Sequence, residues 1–224
     1  LSFDEPFASL VHQGVILGPD GNRMSKSHGN VISPDDYIDK YGSDVFRMYL
    51  GFGFAYIEGG AWNDDGIKAI ARFLDRVERL VQRVIELKEN VETDRVLERY
   101  FGANAPDAAP SAEDKTLRYV LANTIMHVTA DVERLSFNTA IARIMELVNA
   151  LYRYKDVCAD ETFPLLWDAT DKLVLCLAPF APHFAEELHA RMAMHGGSVF
   201  SREWPSYDES ALVRDVVNVA VQVN

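Results

Sequence analysis

Cysteine is scarce in this chain. Cys158 and Cys176 are the only two, and neither lies in a Cys-x-x-Cys pattern. That argues against a zinc site built on them and fits a reducing compartment, the cytoplasm. No apolar run reaches about 18 residues, so no transmembrane helix and no membrane partner is expected. The opening Leu1-Ser2-Phe3-Asp4-Glu5-Pro6 has no basic segment and no apolar one, which excludes a signal peptide there. It also has no starting Met, so the sequence reads as a piece of a longer chain. Positive charge is in short supply: 22 Lys and Arg against 34 Asp and Glu, a formal net charge of -12. Bulk charge therefore argues against non-specific nucleic-acid affinity, and only a local basic stripe could serve. Gly-x-Ser-x-Gly, P-loop and dinucleotide fingerprints are all missing. His183 and His189 flank two glutamates without the His-Glu-x-x-His spacing and fall on divergent helix faces, so no metal is expected.

What is present has an ordinary globular balance. Over 224 residues, 48% are apolar and 25% charged, enough for one to two domains with a sizeable core. Residues 1–33 read as extended segments and turns, with Gly18-Pro19-Asp20-Gly21 as a turn between two runs that could pair as a hairpin. Ser33 and Pro34 open a short helix ended by Gly42, and Ser43 is expected to cap a second. Gly51, Gly53, Gly59 and Gly60 break the pattern around an aromatic loop, where Phe52, Phe54 and Tyr56 read as packing. Helices then dominate. Ile67, Ile70, Leu74, Val77, Val81 and Val84 recur at helical spacing over about 63–88. Residues 90–112 read as a connection. Ser111 with Asp114 makes a capping-box start for a second long helix, Asn138 is expected to cap a third, Pro164 to open a fourth and Pro182 a fifth. Trp62 and Trp204 read as hinge packing at element boundaries. At the tail, Val217, Val219, Val221 and Val223 alternate with Asn218, Ala220 and Gln222, the period of a half-buried strand. The expected fold is mainly α: a small α+β region, then an α-helical bundle, then a terminal β-strand.

The chemistry concentrates in Arg23-Met24-Ser25-Lys26-Ser27-His28-Gly29-Asn30. Lys26 stands between two small hydroxyl residues on a Gly-flanked arm with little apolar anchoring beyond Met24. A flexible ammonium there suits polyphosphate as a point charge. Ser-Lys-Ser alone is also an ordinary surface-loop triplet, and only the longer run distinguishes it.

A second feature lies on the first long helix. At 100° per residue, Lys68, Arg72, Arg76, Arg79 and Arg83 fall in one sector, away from Ile67, Val77 and Val84. Such a stripe suits a phosphate backbone. It equally suits a solvated face paired with Asp75, Glu78 and Glu86, which border it.

Arg-Met-Ser-Lys-Ser-x-Gly-Asn-Val-Ile-x-Pro-x-Asp, as it stands from Arg23 to Asp36, resembles the KMSKS signature of class I aminoacyl-tRNA synthetases. Arg23 departs from it, standing where the first lysine usually is. Whether it substitutes functionally is open, because guanidinium and ammonium are not interchangeable. Tyr41-Gly42-Ser43-Asp44-Val45-Phe46-Arg47 is similar to a segment shared by the leucine, isoleucine and valine enzymes. Trp62-Asn63-Asp64-Asp65-Gly66-Ile67, Arg72-Phe73-Leu74, Phe137-Asn138-Thr139-Ala140-Ile141, Glu146-Leu147-Val148-Asn149, Leu177 to His183, Trp204-Pro205 and the final Val221-Gln222-Val223-Asn224 look like bacterial leucyl-tRNA synthetase.

The resemblance implies a parent that activates leucine with ATP and Mg2+ and transfers it to tRNA(Leu). Lys26 would be catalytic, with Arg23, Met24, Ser25, Ser27, Gly29 and Asn30 completing the ATP loop. Arg72, Arg76, Arg79 and Arg83 would be candidates for tRNA contact. The family's His-x-Gly-His motif is not found among these residues, whose six histidines include no pair three apart. Nor does the resemblance extend to an editing domain. The expectation is a C-terminal-half portion, inactive alone: 1–60 a signature-loop and stem-contact region, 61–196 a helical tRNA-binding bundle, and 197–224 a linker and the start of a further domain. The alternatives are an isoleucyl- or valyl-type portion, or a non-catalytic RNA-binding helical module.

Overall fold

The computed structural model describes residues 7–90, 110–192 and 196–213. Two residues of extended chain, β1 (Ile16–Leu17), pair in parallel with β2 (Gly60–Ala61), Ile16 facing Gly60 and Leu17 facing Ala61. The hairpin expected across Gly18–Gly21 is reduced to a single antiparallel bridge between Leu17 and Arg23. The turn itself forms, with Gly21 N–H donating to Gly18 C=O at 2.9 Å, but the chain then leaves for the Lys26 loop instead of pairing further.

Helix α1 (Pro34–Tyr41) starts as expected, with Ser33 at the N-cap position and Pro34 in the first turn. Gly42 ends it at φ 87, a left-handed conformation that favours glycine. Gly42 is also the N-cap of α2 (Ser43–Gly53), so Ser43 is the first helical residue and not the cap. The glycines at 51 and 53 do not break this helix. A Cβ at Gly51 would stand 3.3 Å from Ile141 Cδ1, so its bare backbone lets α2 lie close against a later helix.

Helix α3 (Asp64–Asn90) buries the whole predicted stripe, with Ile67, Ile70, Leu74, Val77, Val81 and Val84 joined by Phe73 and Leu80. Helix α4 (Ala112–Glu133) begins with the expected reciprocal box: Asp114 N–H donates to Ser111 Oγ at 3.0 Å and Ser111 N–H to Asp114 Oδ2 at 2.9 Å. Leu135, at φ 59, turns the chain into α5 (Phe137–Tyr154). The cap of α5 falls at Ser136, and Asn138 lies inside the first turn. Hydrophobic periodicity locates a helix more surely than its end, because the first turn carries few apolar contacts.

Helix α6 (Phe163–Leu177) is buried on nearly every side, from Leu165, Leu166 and Trp167 to Val174, Cys176 and Leu177. All-round burial makes it the central helix of the bundle. Truncating a side chain such as Leu166 to alanine there would cost about 2–5 kcal/mol. Pro179 cannot continue α6, and helix α7 (Pro182–Met192) opens on a second proline. Residues 198–212 then lie across the bundle as a strap. Arg202 makes two hydrogen bonds to buried Asp171 (3.2 and 2.9 Å), Glu186 accepts from Ser198 Oγ and Val199 N–H, and Trp204 Nε1 donates to Thr129 Oγ1 at 2.7 Å. Trp62 is buried, whereas Trp204 stays 41% exposed. The expected terminal strand and most of the 90–112 connection lie outside the described residues. The fold is mainly helical, with one small parallel pair of strands among the described residues.

Candidate functional site

The Lys26 loop is organised by polar contacts beside the apolar anchor of Met24. Ser25 caps a single 3-10 turn, Lys26–His28, its Oγ accepting from Ser27 N–H and lying 2.7 Å from Ser27 Oγ. Gly29 closes the turn at φ 66. Asn30 then reaches back across the loop. Its Oδ1 accepts from Ser25 N–H at 2.9 Å, and its Nδ2 lies 3.1 Å from Asp20 Oδ1 and 3.3 Å from Arg23 C=O. Asn30 also holds the Asp20 carboxyl below its ordinary range, helped by Asn22. Met24 is half-buried against the core, while Arg23, Lys26, Ser27 and Gly29 are exposed. The structure thus brings Arg23, Met24, Ser25, Lys26, Ser27, Gly29 and Asn30 into one loop with the Lys26 ammonium facing outward.

Asp20 takes part in the loop, although by sequence it is only a turn residue. Its signal is the Gly-Pro-Asp-Gly turn itself, because a carboxylate two residues before an amide commonly closes an Asx turn. Asp64 likewise does more than its place in the Trp62–Ile67 motif suggests. Its Oδ1 accepts from Tyr37 of α1 at 2.6 Å and from Trp62 Nε1 at 2.8 Å, and these bonds, Tyr37's first, hold its carboxyl below the ordinary range.

The arginines of α3 do not form one uniform face. Arg72 and Arg79 are exposed and enter no ion pair among the described residues. Arg76 is half-buried over the Tyr152 ring, 4.5 Å from its centroid, and Tyr152 Oη donates to the Arg76 carbonyl at 2.8 Å. Arg83 pairs with Glu86 at 3.3 Å and Lys68 with Asp65 at 3.0 Å. Glu78 turns instead to Arg191 of α7 at 2.9 Å. The stripe is therefore divided: two arginines are unpaired among the described residues, and two are engaged within the fold.

His183 is largely exposed beside Asp44, and His189 is buried. Among the described residues no group of His, Cys, Asp and Glu could hold a metal ion, and no helix is long and apolar enough to cross a membrane.

Comparison with known proteins assigns this arrangement. Residues 1–57 match the family model for tRNA synthetases class I (I, L, M and V), and residues 114–224 match the anticodon-binding domain of tRNA ligase. The chain is 56% identical to the leucine–tRNA ligase of Caldanaerobacter subterraneus subsp. tengcongensis, an alignment covering 100% of this chain and 26% of that protein. The chain belongs to the leucyl-tRNA synthetase family. A second family member, the leucine–tRNA ligase of Clostridium perfringens, is 50% identical over 100% of this chain and 26% of its own length. The chain thus spans about a quarter of the length of these leucyl-tRNA synthetase relatives. The ternary complex of Agrobacterium radiobacter K84 agnB2 LeuRS with tRNA and LeuAMS superposes with a TM-score of 0.77. It has 36% identity over 95% of this chain and 25% of that one. The Lys26 loop lies in the part matched by the class I synthetase model, and α4 to α7 lie almost wholly in the part matched by the anticodon-binding model.

Proposed function

We propose that these residues are the signature-loop and tRNA-binding portion of a cytoplasmic leucine–tRNA ligase, which activates leucine with ATP and transfers it to tRNA(Leu). The observation that carries the reading is the Lys26 loop: an outward ammonium, unpaired among the described residues, on a turn that Asn30, Asp20 and Ser25 hold in shape. In activation, a leucine carboxylate oxygen attacks the α-phosphorus of ATP, the bond to the β-phosphate oxygen breaks, and pyrophosphate leaves. Negative charge grows on that leaving group, and a positioned cation stabilises it more than it stabilises bound ATP. Lys26 supplies that cation. Arg23 adds charge at the root of the loop, and the Ser25 and Ser27 hydroxyls with the Gly29 backbone offer neutral contacts. Mg2+, where it accompanies ATP, would supply further positive charge to the phosphates; the part played by this chain's residues is that of Lys26 and Arg23.

The helical part serves tRNA. Arg72 and Arg79 contact phosphates, with Arg76 and Arg83 at the edges of the same face. Residues 1–60 act as the signature-loop region, 61–196 as the bundle, and 197–224 as the linker onward. The test is leucine-dependent ATP–pyrophosphate exchange by a full-length protein carrying this segment, with isoleucine and valine as competitors for the assignment. Leucine-dependent exchange that the 224 residues alone do not support is the expected result. Exchange driven by isoleucine or valine, or none with any of the three, would overturn it.

A further inference from the structure

The Lys26 loop has two roots, and both end on the same carboxylate. At the incoming root, Leu17 of β1 bridges Arg23, and Leu17 C=O accepts the Trp62 N–H at 3.0 Å. Trp62 in turn sends its indole N–H to Asp64 Oδ1 at 2.8 Å. At the outgoing root, α1 follows the loop directly, and its Tyr37 hydroxyl donates to that same Oδ1 at 2.6 Å. The two donor rings also meet edge to face, 4.8 Å apart. Trp62 is held further by Tyr49 and Phe46, and Tyr49 Oη lies between Asn63 C=O (2.9 Å) and Asn63 N–H (3.0 Å). Asp64 is itself the first residue of α3, the helix that carries Arg72 and Arg79. A carboxylate is favoured in that first turn by the exposed helix N–H groups, so it is kept charged and fixed.

We infer that Asp64 is a positioning residue for the Lys26 loop, clamping both its roots to the start of the basic helix α3. The inference rests on the reading of Lys26 as the cation that acts on ATP. Asn30 and Asp20 give the loop its shape, but they belong to the loop and move with it. Asp64 ties the elements on either side of the loop to a third, α3, and so sets the distance of Lys26 from the phosphates.

The experiment uses a full-length enzyme carrying this segment, assayed by pyrophosphate exchange. Asp64→Ala removes the acceptor, Asp64→Asn keeps an acceptor oxygen for both donors, and Tyr37→Phe releases only the outgoing root. A misplacement on the order of 1 Å costs up to about 10²-fold in rate. Asp64→Ala should therefore lower kcat by roughly 10- to 10²-fold with the KM for leucine unchanged. Asp64→Asn should recover most of that loss, and Tyr37→Phe should show an intermediate loss. If Asp64→Ala does not fold, Tyr37→Phe against Asp64→Asn decides: a lowered kcat in the former and near-normal kcat in the latter supports the clamp. An unchanged kcat in Tyr37→Phe, or equal losses in Asp64→Asn and Asp64→Ala, overturns it. Lys26→Ala is run in parallel. If it is impaired while the Asp64 and Tyr37 variants are not, only the clamp fails. If Lys26→Ala is itself unimpaired, the reading of the loop fails and the clamp with it.

Discussion

Asp44 near the start of α2 caps α7 from across the bundle, its Oδ2 accepting the Phe184 N–H at 2.6 Å while His183 Nδ1 lies 2.9 Å from Oδ1. Phe184 is in the first turn of α7, where backbone N–H groups lack intrahelical acceptors. The two residues are far apart in sequence and close one joint between the loop-bearing region and the bundle. Asp44→Ala should cost about 1–2 kcal/mol, in the upper range of lost caps, because the carboxylate is buried. That is a drop of roughly 2–8 °C in melting temperature for a chain of this size. Asp44→Asn, which keeps an acceptor, should lose less. Equal melting of Asp44→Ala and wild type in a calorimetric scan would contradict the cap.

Lys26→Ala in a full-length enzyme should slow adenylate formation by about 10²–10³ with leucine affinity little changed, since removing one donor to developing charge typically costs that much. Single-turnover measurement separates the two quantities. A normal activation rate would remove Lys26 from the chemistry.

The four arginines should behave differently. Replacing Arg72 and Arg79 with alanine should lower the slope of log tRNA affinity against log salt by roughly 0.7–0.9 for each phosphate left unneutralised, with melting unchanged. Arg76→Ala should instead cost stability, about 0.5–1 kcal/mol, because the guanidinium no longer covers the Tyr152 ring. Binding at three salt concentrations beside a melting curve reads both. A lowered melting temperature with an unchanged salt slope in the Arg72/Arg79 variant would assign those side chains to the fold.

The start of α4 should show a pH signature. Burial opposes ionisation of Asp114, but hydrogen bonds from Tyr154 and Ser111 outweigh it and hold its pKa below the ordinary 3.8. Burial, then the bond to Asp114, pushes the Tyr154 hydroxyl well above its ordinary 10.0. A depressed carboxylate contributes stability above its unfolded pKa and loses it as pH falls through the folded one. A raised phenol contributes below its unfolded pKa and loses it as pH rises towards the folded one. The pair should thus be fully stabilising between about pH 4 and pH 10. Asp114→Asn should flatten the acid limb of melting temperature against pH, and Tyr154→Phe the alkaline limb. Unchanged limbs in both variants would remove this pair from the pH response.

Much of the helical architecture is legible from single residues. The buried positions of α3 recur at 3.6-residue spacing, Ser111 with Asp114 announces α4, and Pro164 and Pro182 mark the starts of α6 and α7. The misplaced boundaries share one cause. Ser43 and Asn138 are good capping residues by type, but the backbone conformations of Gly42 and Ser136 place the first helical residue earlier than each assignment requires. The glycines of α2 mislead similarly: Gly51 weakens a helix in isolation, but it sits where a Cβ would press on Ile141 Cδ1 at 3.3 Å, a packing relation that the local sequence does not display. In the loop, residue identity exposes Lys26 and its neighbours, while the part played by Asp20 is hidden because its partner Asn30 lies ten residues away.

The sequence by itself determined the helical class, the buried faces and the loop that carries Lys26. These depend on periodicity and local chain chemistry, which act over a few residues. Only the tertiary structure decided that Asp64 receives both Tyr37 and Trp62, that Asp44 caps α7, and that the α3 arginines divide into two side chains unpaired among the described residues, one lying on Tyr152 and one paired with Glu86. Each depends on which distant groups packing brings within about 3 Å, the range over which a hydrogen bond forms. No local pattern encodes that distance, because the burial of one common apolar core sets it.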